Sequence, residues 1–246
     1  MNERSLLWRV ICLVFSVVFV LAGWQLTSMA LNTPALPAPL EAVSVFVSFA
    51  PSLWPHFQIS FLRILMALVI GVVFGLPLGL FLGRSTIVGS LFTPALYILY
   101  PLPKIVILPI LLVLMGLGGA PKVALIAITV FFQVVIVMRD AARAVPEETV
   151  DSVRALGASR LDVWRHVVLP ATLPQLFTTL RVSSAIAIAV LFIAEAFAGS
   201  TGLGYFIMNA WSMVSYSRMF AGIIALAFLG VVVYEAFDIA ERALTH

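Results

Sequence analysis

Apolar residues occur along the chain in six long blocks, and shorter segments between the blocks carry most of the charged side chains. A helix needs about 20 apolar residues to cross about 30 Å of hydrocarbon. None of the blocks alternates polar and apolar residues at the period of two that a membrane barrel requires. The pattern predicts an all-α integral membrane protein with about six transmembrane helices. The predicted spans are about 7–30, 58–83, 87–117, 121–141, 173–198 and 219–240.

The composition agrees with an integral membrane protein. Hydrophobic residues make up 63% of the 246 residues and charged residues only 10%, whereas soluble domains carry about 25% charged residues. The 14 basic and 11 acidic side chains are too few to cover a water-soluble particle of this size. Cys12 is the sole cysteine in the sequence, which excludes a disulfide scaffold. We expect a single transmembrane domain over residues 1–246.

Basic residues near the span ends predict the orientation, because cytoplasmic connections carry an excess of Lys and Arg. Both termini and the connection after the fourth span are expected in the cytoplasm, with the segments 31–56 and 199–217 outside. The basic residues on the expected cytoplasmic side are Arg4, Arg9, Arg84, Arg139, Arg143, Arg154, Arg160, Arg165 and Arg242. The outer side holds Arg63, Lys122 and Arg218.

Two of the blocks leave alternatives open. The first could be a cleaved signal peptide, since residues 28–30 resemble a cleavage site, although its apolar stretch is longer than a usual signal core. In the third block, prolines at 101 and 103 should interrupt the helix. Either residues 87–100 lie along the cytoplasmic interface before a crossing at about 104–117, or the block is one kinked, tilted span.

The connection between the fourth and fifth spans, residues 142–170, is too polar for a membrane interior. Residues 139–165 contain ten of the 25 charges, five Arg and five acidic residues. Pro146 suits the first turn of a helix, and Glu147 and Glu148 suit its positive end. The residues that recur every three positions and form an apolar stripe along this helix are Val150, Val153 and Leu156.

A second short helix follows a glycine. Gly157 should stop the first helix, and Ser159 with Asp162 three residues later predicts a capped start for the second. Leu169-Pro170 should end it. Its predicted apolar stripe is Leu161, Trp164 and Val168. The helix pair could be a solvated loop, a pair lying on lipid headgroups, or a protruding surface that docks into a partner's groove.

The segment from Asp151 to Gly157, followed after nine residues by Val167-Val-Leu169-Pro170, resembles the EAA loop of bacterial ABC importer permeases. The family pattern is Glu-Ala-Ala, three residues, Gly, nine residues, Ile, one residue and Leu-Pro. The spacing is kept, but four positions differ from the family pattern. Asp151 replaces the Glu, Ser152 and Val153 replace the alanines, and Val167 replaces the Ile. Further segments are similar to the nitrate/sulfonate/taurine permease branch, at residues 60–63, 75–79, 82–83, 103–104, 108–109, 116–118, 194–195 and 202–205.

The resemblance implies a type I ABC importer permease fold in the bacterial inner membrane. It implies a transport subunit, not an enzyme, that forms a dimer with a second copy of itself and provides the path for a small anion such as a sulfonate, taurine or nitrate. A pyrimidine or another vitamin precursor is the alternative substrate class. Two cytoplasmic ATPase subunits would bind ATP and Mg²⁺, and an extracytoplasmic substrate-binding protein would deliver the substrate. The chain itself contains no P-loop motif, and no cofactor is expected on it.

The resemblance also assigns the residues of the ATPase-coupling loop. They are Glu147, Glu148, Asp151, Arg154, Ala155, Leu156, Gly157, Ala158, Leu161, Trp164, Leu169 and Pro170.

Three charged residues inside or beside spans are candidates for a gate or the translocation pathway, because a charge within a membrane suggests function. Glu195 either holds an outer gate or bonds a neighbouring helix end or the Gly-rich backbone at 199–204. Arg181 either faces a cavity or extends its guanidinium to the cytoplasm. Lys104 is a pathway candidate only if residues 87–117 form one span.

Two further patterns predict contacts. Glycines at 71, 75, 79 and 83 recur every four residues, which predicts a close helix-packing face. Trp211, Met213 and Tyr216 in the outer segment are expected to anchor at the membrane interface or to contact a binding protein. The three histidines are too scattered for a metal site.

Two other functional classes stay open. An ion-gradient-driven secondary transporter should show paired acids at the midplane and an inverted repeat. The sequence offers Glu195 alone as such an acid and shows no clear repeat. A membrane scaffold without transport activity would purify without partners.

Overall fold

A computed structural model describes residues 3–245, and within them the chain is built from helices. In chain order they are α1 (Glu3–Leu31), α2 (Pro39–Arg84), α3 (Thr86–Leu99), a 3₁₀ turn (Lys104–Ile107), α4 (Leu108–Met115), α5 (Ala120–Ala144), α6 (Glu147–Ala155), α7 (Arg160–Val163), a π turn (Trp164–Val168), α8 (Leu169–Ala198), α9 (Leu203–Ser212) and α10 (Tyr216–Thr245).

The described residues contain five helices that are long and apolar enough to cross a membrane, and a bent pair that could form a sixth span. The core of the bundle is formed by α2, α5, α8 and α10, with α9 packed against one end of it. The first helix is peripheral: its described apolar side chains are mostly exposed, and Trp24 contacts the ring of Phe220 and the carbonyl of Pro37. The prediction of an all-α membrane protein is confirmed.

The second span is much longer than predicted. α2 has 46 residues and begins at Pro39 rather than near 58, so most of the predicted 31–56 connection is helical. At about 1.5 Å per residue such a helix is roughly twice as long as the hydrocarbon is thick. The prediction failed because its first half is rich in Ala, Pro and Ser and therefore less apolar. Three prolines lie within this helix and do not end it: Pro51, Pro55 and Pro77.

The third apolar block is interrupted at its prolines, as the sequence predicted. α3 ends at Leu99, and the chain bends by 84° before the 3₁₀ turn and α4 continue to Met115. Pro103 precedes the 3₁₀ turn in an extended conformation, which is the backbone that proline and the residue before it favour.

The glycine stripe packs α2 against α5, as predicted. A Cβ added at Gly71 would lie 2.7 Å from a methyl of Val130, and one added at Gly83 would lie 2.3 Å from the carbonyl oxygen of Arg139. Real side-chain carbons do not approach so closely, so the two helices meet because these positions have no side chain.

The fifth span does not begin near 173. A continuous 39-residue helical stretch runs from Arg160 through the π turn into α8 and ends at Ala198. The prediction that Leu169-Pro170 ends a separate cytoplasmic helix is therefore wrong. Pro170 lies in the first turn of α8, where a proline costs no backbone hydrogen bond. The Gly-rich outer segment 199–217 also contains a helix, α9, that the sequence analysis did not predict.

Candidate functional site

The connection between α5 and α8 forms a sharply turned helix pair. Gly157 has a φ of +91°, in the left-handed region that favours glycine, and its N–H donates to the carbonyl of Arg154 at 2.9 Å. Ser159 and Asp162 form the predicted capping box: the Ser159 hydroxyl accepts from the Asp162 N–H at 3.2 Å, and the Asp162 carboxylate accepts from the Ser159 N–H at 2.9 Å. Both predicted helix boundaries are confirmed.

Buried valines and an ion pair attach this connection to the bundle. Val150, Val163 and Val168 are buried in the main core. The guanidinium of Arg84, at the end of α2, donates to the Glu147 carboxylate at 2.8 Å and to the Val145 carbonyl at 3.2 Å. The first turn of α6 is therefore fixed to the end of α2.

Two leucines beside the glycine turn remain exposed. Leu156 is 88% exposed and Leu161 is 74% exposed. The predicted stripes grouped Leu156 with Val150 and Leu161 with Val168 on single faces, whereas in the structure the two valines are buried and the two leucines are exposed. Leu156 follows Val150 by six residues, which at about 100° per residue places it about 120° away around the helix. The π turn after α7 shifts the register, so that Leu161 does not align with Val168.

We call Leu156 and Leu161 the exposed leucine pair. Charged side chains surround the pair along the same helices: Glu148, Asp151, Arg154, Arg160 and Arg165 are all exposed. Asp151 and Arg154 form an exposed ion pair at 3.2 Å. Ala155 and Gly157 are exposed, while Ala158 and Trp164 are partly buried. An apolar pair on a rigid, charged projection suits insertion into a groove of another protein.

At the opposite end of the bundle, Glu195 of α8 is completely buried. Its Oε1 atom lies 2.7 Å from Nη1 of Arg63 on α2. The carboxylate also accepts from the Ser60 hydroxyl at 2.8 Å and from the backbone N–H of Gly204 at 3.0 Å. A buried carboxylate therefore has a charged partner and further hydrogen bonds, as burial of a charge requires.

The same residues hold the start of α9. The Ser60 oxygen accepts from the N–H of Leu203 at 2.8 Å, and Arg63 donates to the carbonyl and hydroxyl oxygens of Thr201, each at 2.9 Å. The Gly202 N–H donates to Nδ1 of His56 at 3.1 Å. The carboxylate of Glu195 thus lies at the positive end of α9, where an anion is stabilised. We call the group of Ser60, Arg63, Glu195 and the α9 N-terminus the outer clasp.

Two glycines allow this approach. Gly202 has a φ of +106°, and a Cβ there would lie 2.2 Å from the carboxyl carbon of Glu195. A Cβ at Gly204 would lie 2.5 Å from the carbonyl of Phe192. The interpretation that Glu195 bonds the Gly-rich backbone agrees with this geometry.

Sequence analysis missed Arg63 as a partner, because it was counted among the basic residues on the outer side. One signal was available: Arg63 lies within an apolar run of a span, where a charge needs a partner. Glu195 is the acid expected near the same end of a neighbouring span.

Arg181 is held by acidic side chains of α10. Its Nη1 atom lies 2.5 Å from Asp238 and 3.4 Å from Glu241, both on α10. Asp238 also pairs with Arg242 at 2.7 Å. The arginine therefore joins α8 to α10 within a charged network. The sequence analysis did not select the acidic members of this network.

Lys104 binds carbonyl groups at the end of α3. Its ammonium donates to Leu99 at 2.8 Å, to Leu102 at 2.9 Å and to Tyr100, and it lies 4.8 Å from the ring centroid of Phe132. A cation at a helix C-terminus satisfies the last carbonyls and the dipole. The contacts of Lys104 are those of a cap at the break between α3 and α4.

A cavity of about 340 Å³ with a mostly apolar lining lies between α5 and α8. Its lining includes five amide or hydroxyl side chains: Gln133, Gln175, Thr178, Thr179 and Ser183. The Oε1 atom of Gln133 is buried without a hydrogen-bond partner among the described residues. Sequence analysis did not select these residues, although the four on α8 recur at helical spacing and share one face.

The outer aromatic candidates lie around the end of α9. Trp211 and Met213 are exposed, and Tyr216 is partly buried at the start of α10. Trp211 lies in the last turn of α9, Met213 follows that helix, and Tyr216 begins α10.

The sequence of this chain is similar to those of known transport proteins. Residues 71–246 match the family described as "Binding-protein-dependent transport system inner membrane component". The chain is 27% identical to the taurine transport system permease protein TauC of Escherichia coli K12, over 100% of this chain and 94% of that protein. It is 30% identical to the putative aliphatic sulfonates transport permease protein SsuC of Bacillus subtilis 168, over 92% of this chain and 83% of that protein.

A solved structure has a similar fold. A chain of the MetNI methionine ABC transporter, in an inward-facing conformation, is similar with a TM-score of 0.65 and 21% identity. The match covers 80% of this chain and 99% of that one.

Proposed function

The chain belongs to the family of inner membrane components of binding-protein-dependent transport systems, and from this premise we propose that it forms the translocation pathway of an ATP-driven importer for a small sulfonate. It is a multi-pass membrane protein with the fold of a type I ABC importer permease. The exposed leucine pair, held on a rigid helix pair, is the observation that carries the proposal.

The exposed leucine pair is the contact with the ATPase. An apolar projection gains free energy by entering a groove, at about 25 cal/mol for each Å² of apolar surface buried. The charged residues around it would set the orientation of docking. Because Arg84 fixes Glu147 to α2 and the valines anchor the helices, a movement of the ATPase would displace the bundle with the helix pair.

The proposed orientation puts both termini and the helix pair in the cytoplasm. Its support is the excess of arginine at this end of the bundle, where cytoplasmic segments carry most basic residues. The outer clasp and α9 then face the other side, where a substrate-binding protein would dock near Trp211 and Met213.

The proposed assembly contains a second copy of this chain, two ATPase subunits that bind ATP and Mg²⁺, and the substrate-binding protein. Its transport cycle is a rigid-body switch between inward-open and outward-open states, driven by closure of the ATPases. The chain's own residues transmit the movement and line the path; ATP hydrolysis takes place on the partner chain.

The proposed substrate class follows from the relatives, whose names specify taurine and aliphatic sulfonates. We assign such an anion to the cavity between α5 and α8, where the side-chain amides of Gln133 and Gln175 interrupt a mostly apolar lining. These amides can donate hydrogen bonds to sulfonate oxygens without the strong binding that a buried arginine would provide. A path needs this weaker binding, because a substrate must leave it as well as enter.

The test replaces the exposed leucine pair by serine and measures co-purification of the ATPase from native membranes. Leu156→Ser and Leu161→Ser should each reduce the bound ATPase and the ATP-dependent uptake, while insertion and yield stay normal. Leu117→Ser is the matched control, because Leu117 is 77% exposed in the turn between α4 and α5. Unchanged ATPase binding in the double variant, or uptake that follows an ion gradient after ATP depletion, would refute the proposal.

A further inference from the structure

Two adjoining cavities open where the ends of α2 and α5 meet α6. The first has a volume of about 450 Å³ and lies against the start of α3. The second, about 640 Å³, lies on the other side of the Arg84–Glu147 ion pair and reaches the π turn. Arg84, Ser85, Thr86 and Glu147 line both cavities, so the two form one groove around the N-terminus of α3.

The groove has an excess of positive charge, although three of its arginines are ion-paired: Arg84 with Glu147, Arg139 with Asp140, and Arg154 with Asp151. Five of its lining residues are arginines, against one acid, Glu147. The arginines are Arg84, Arg139, Arg143, Arg154 and Arg160. Concave surfaces lined by one sign of charge concentrate ions of the opposite sign. The groove is therefore suited to an anion.

Arg139 carries an unused hydrogen-bond donor at this site. Its side chain is 7% exposed; Nη2 donates to the Tyr97 hydroxyl at 2.7 Å, and Nε donates to Asp140 at 3.0 Å. Nη1 is buried and has no acceptor among the described residues. An unsatisfied donor on a charged group is costly. Arg139 lines the first cavity, so its buried guanidinium contributes positive charge beside an oxyanion seated there.

The start of α3 provides a second, uncharged set of donors. Ser85 caps this 14-residue helix by accepting from the Val88 N–H. The remaining N–H groups of the first turn, together with the helix dipole, favour an anion. Thr86, Ser90 and Thr93 add hydroxyl groups on the face that lines the first cavity.

An apolar surface adjoins the groove and indicates where the anion comes from. Ile87 and Leu91 of α3 are both strongly exposed, and they lie next to the polar face of that helix. The groove lies at the ends of the long apolar helices α2 and α5, where lipid headgroups are expected, and acyl chains would follow the exposed face of α3. The exposed leucine pair, which we assign to the ATPase, is not part of the lining, and the charged residues Arg154 and Arg160 near that pair line only the second cavity. A lipid therefore fits the groove better than a free anion does.

We propose that this groove binds the phosphate of an anionic phospholipid from the cytoplasmic leaflet, through Arg139, Arg143 and the N-terminus of α3. Basic pockets between transmembrane helices on the cytoplasmic side are suited to anionic headgroups. The assignment to the cytoplasmic leaflet rests on the orientation given under the proposed function. Binding of the lipid to the purified chain does not depend on that orientation. Failure of the two proposals can therefore be distinguished.

The experiment is a native mass spectrometry titration of the detergent-purified full chain with phosphatidylglycerol, compared with phosphatidylcholine. Arg143→Gln removes an exposed charge at the groove and should weaken phosphatidylglycerol binding about fivefold. Arg165→Gln is the matched control, because it removes an exposed arginine of the same connection outside the groove. It should leave the affinity within about twofold of wild type.

Arg139→Lys keeps the buried charge but removes the forked guanidinium. We expect it to weaken phosphatidylglycerol binding further than Arg143→Gln, with the folded fraction checked by size-exclusion chromatography. Equal affinities of the Arg143 and Arg165 variants, or no preference for phosphatidylglycerol over phosphatidylcholine, would overturn the proposal. Displacement of the lipid by millimolar inorganic phosphate would overturn the lipid source and assign the groove to a free oxyanion.

Discussion

The carboxylate of Glu195 lies 2.7 Å from the guanidinium of Arg63, although 132 residues separate them in the chain. Both side chains are buried, and the pair joins α8 to α2 beside the start of α9. Because the pair also holds the backbone of residues 201–204, the position of α9 depends on both charges.

Removing one member of this pair should destabilise the protein strongly. Arg63→Ala leaves the Glu195 charge buried without its cationic partner, and such a change costs about 3–5 kcal/mol. Arg63→Gln combined with Glu195→Gln should cost less than the sum of the two single changes, since the remaining amides can bond each other. The thermal unfolding midpoint in detergent measures both. Arg165→Ala, an exposed arginine, is the control and should leave the midpoint unchanged.

Equal midpoints for Arg63→Ala and the control would show that the pair does not stabilise the fold. Strict additivity in the double variant would show that the two side chains act independently.

Gly202→Ala should disrupt the outer clasp without changing any charge. Its φ of +106° strains an alanine, and the new Cβ would lie 2.2 Å from the Glu195 carboxyl carbon. We expect a fall of several degrees in the unfolding midpoint, equivalent to at least about 1–2 kcal/mol. Gly118→Ala is the control, because its Cβ would have no neighbour within 4 Å. A midpoint equal to that of the control would contradict the geometry of the clasp.

A substitution at Gly157 can change the geometry of the helix pair α6–α7 without disturbing side-chain packing. A Cβ at this position meets no atom within 4 Å, so that Gly157→Ala introduces only backbone strain at a φ of +91°, about 1–2 kcal/mol. ATPase co-purification should fall, whereas the unfolding midpoint should fall only by the few degrees that this strain accounts for. Gly157→Asn should restore binding, because asparagine tolerates the left-handed region. Alanine and asparagine variants that bind equally well would show that this turn does not set the docking geometry.

Gln133→Met should slow uptake of the proposed sulfonate and leave ATPase binding intact. The change keeps the side-chain size but removes one hydrogen bond to the substrate in this cavity, worth about 0.5–1.5 kcal/mol. The initial rate of uptake should therefore fall between about twofold and tenfold. Gln58→Met, on an exposed position of α2, is the matched control. A rate equal to the control would remove the cavity from the proposed path.

The sequence was sufficient for features that depend on local chemistry. The capping box at Ser159, the helix stop at Gly157 and the close packing at the glycine stripe each follow from neighbouring residue types. The six apolar blocks follow from membrane thickness. Sequence pattern could also locate the break at residues 101–103, because proline constrains its own backbone.

What could not be predicted depends on contacts between distant segments. The partner of Glu195 lies on another span, and hydropathy alone treats Arg63 as a marker of topology. The length of α2 and the helix of residues 203–212 were missed because their residues are less apolar or rich in glycine. The π turn at residues 164–168 was also unpredictable, since it changes the register by a fraction of a turn without a distinctive residue type.

The uninterrupted helix from Arg160 to Ala198 places Leu161 at one end and Glu195 near the other. It acts as a single lever about 58 Å long, with no hinge loop between its two ends. A tilt of about 5° imposed at the leucine end would displace the far end by about 5 Å, more than the length of the hydrogen bonds that hold α9. In the proposed assembly, a small movement at Leu161 would therefore be enough to break the contacts that hold α9 at the far end of the same helix.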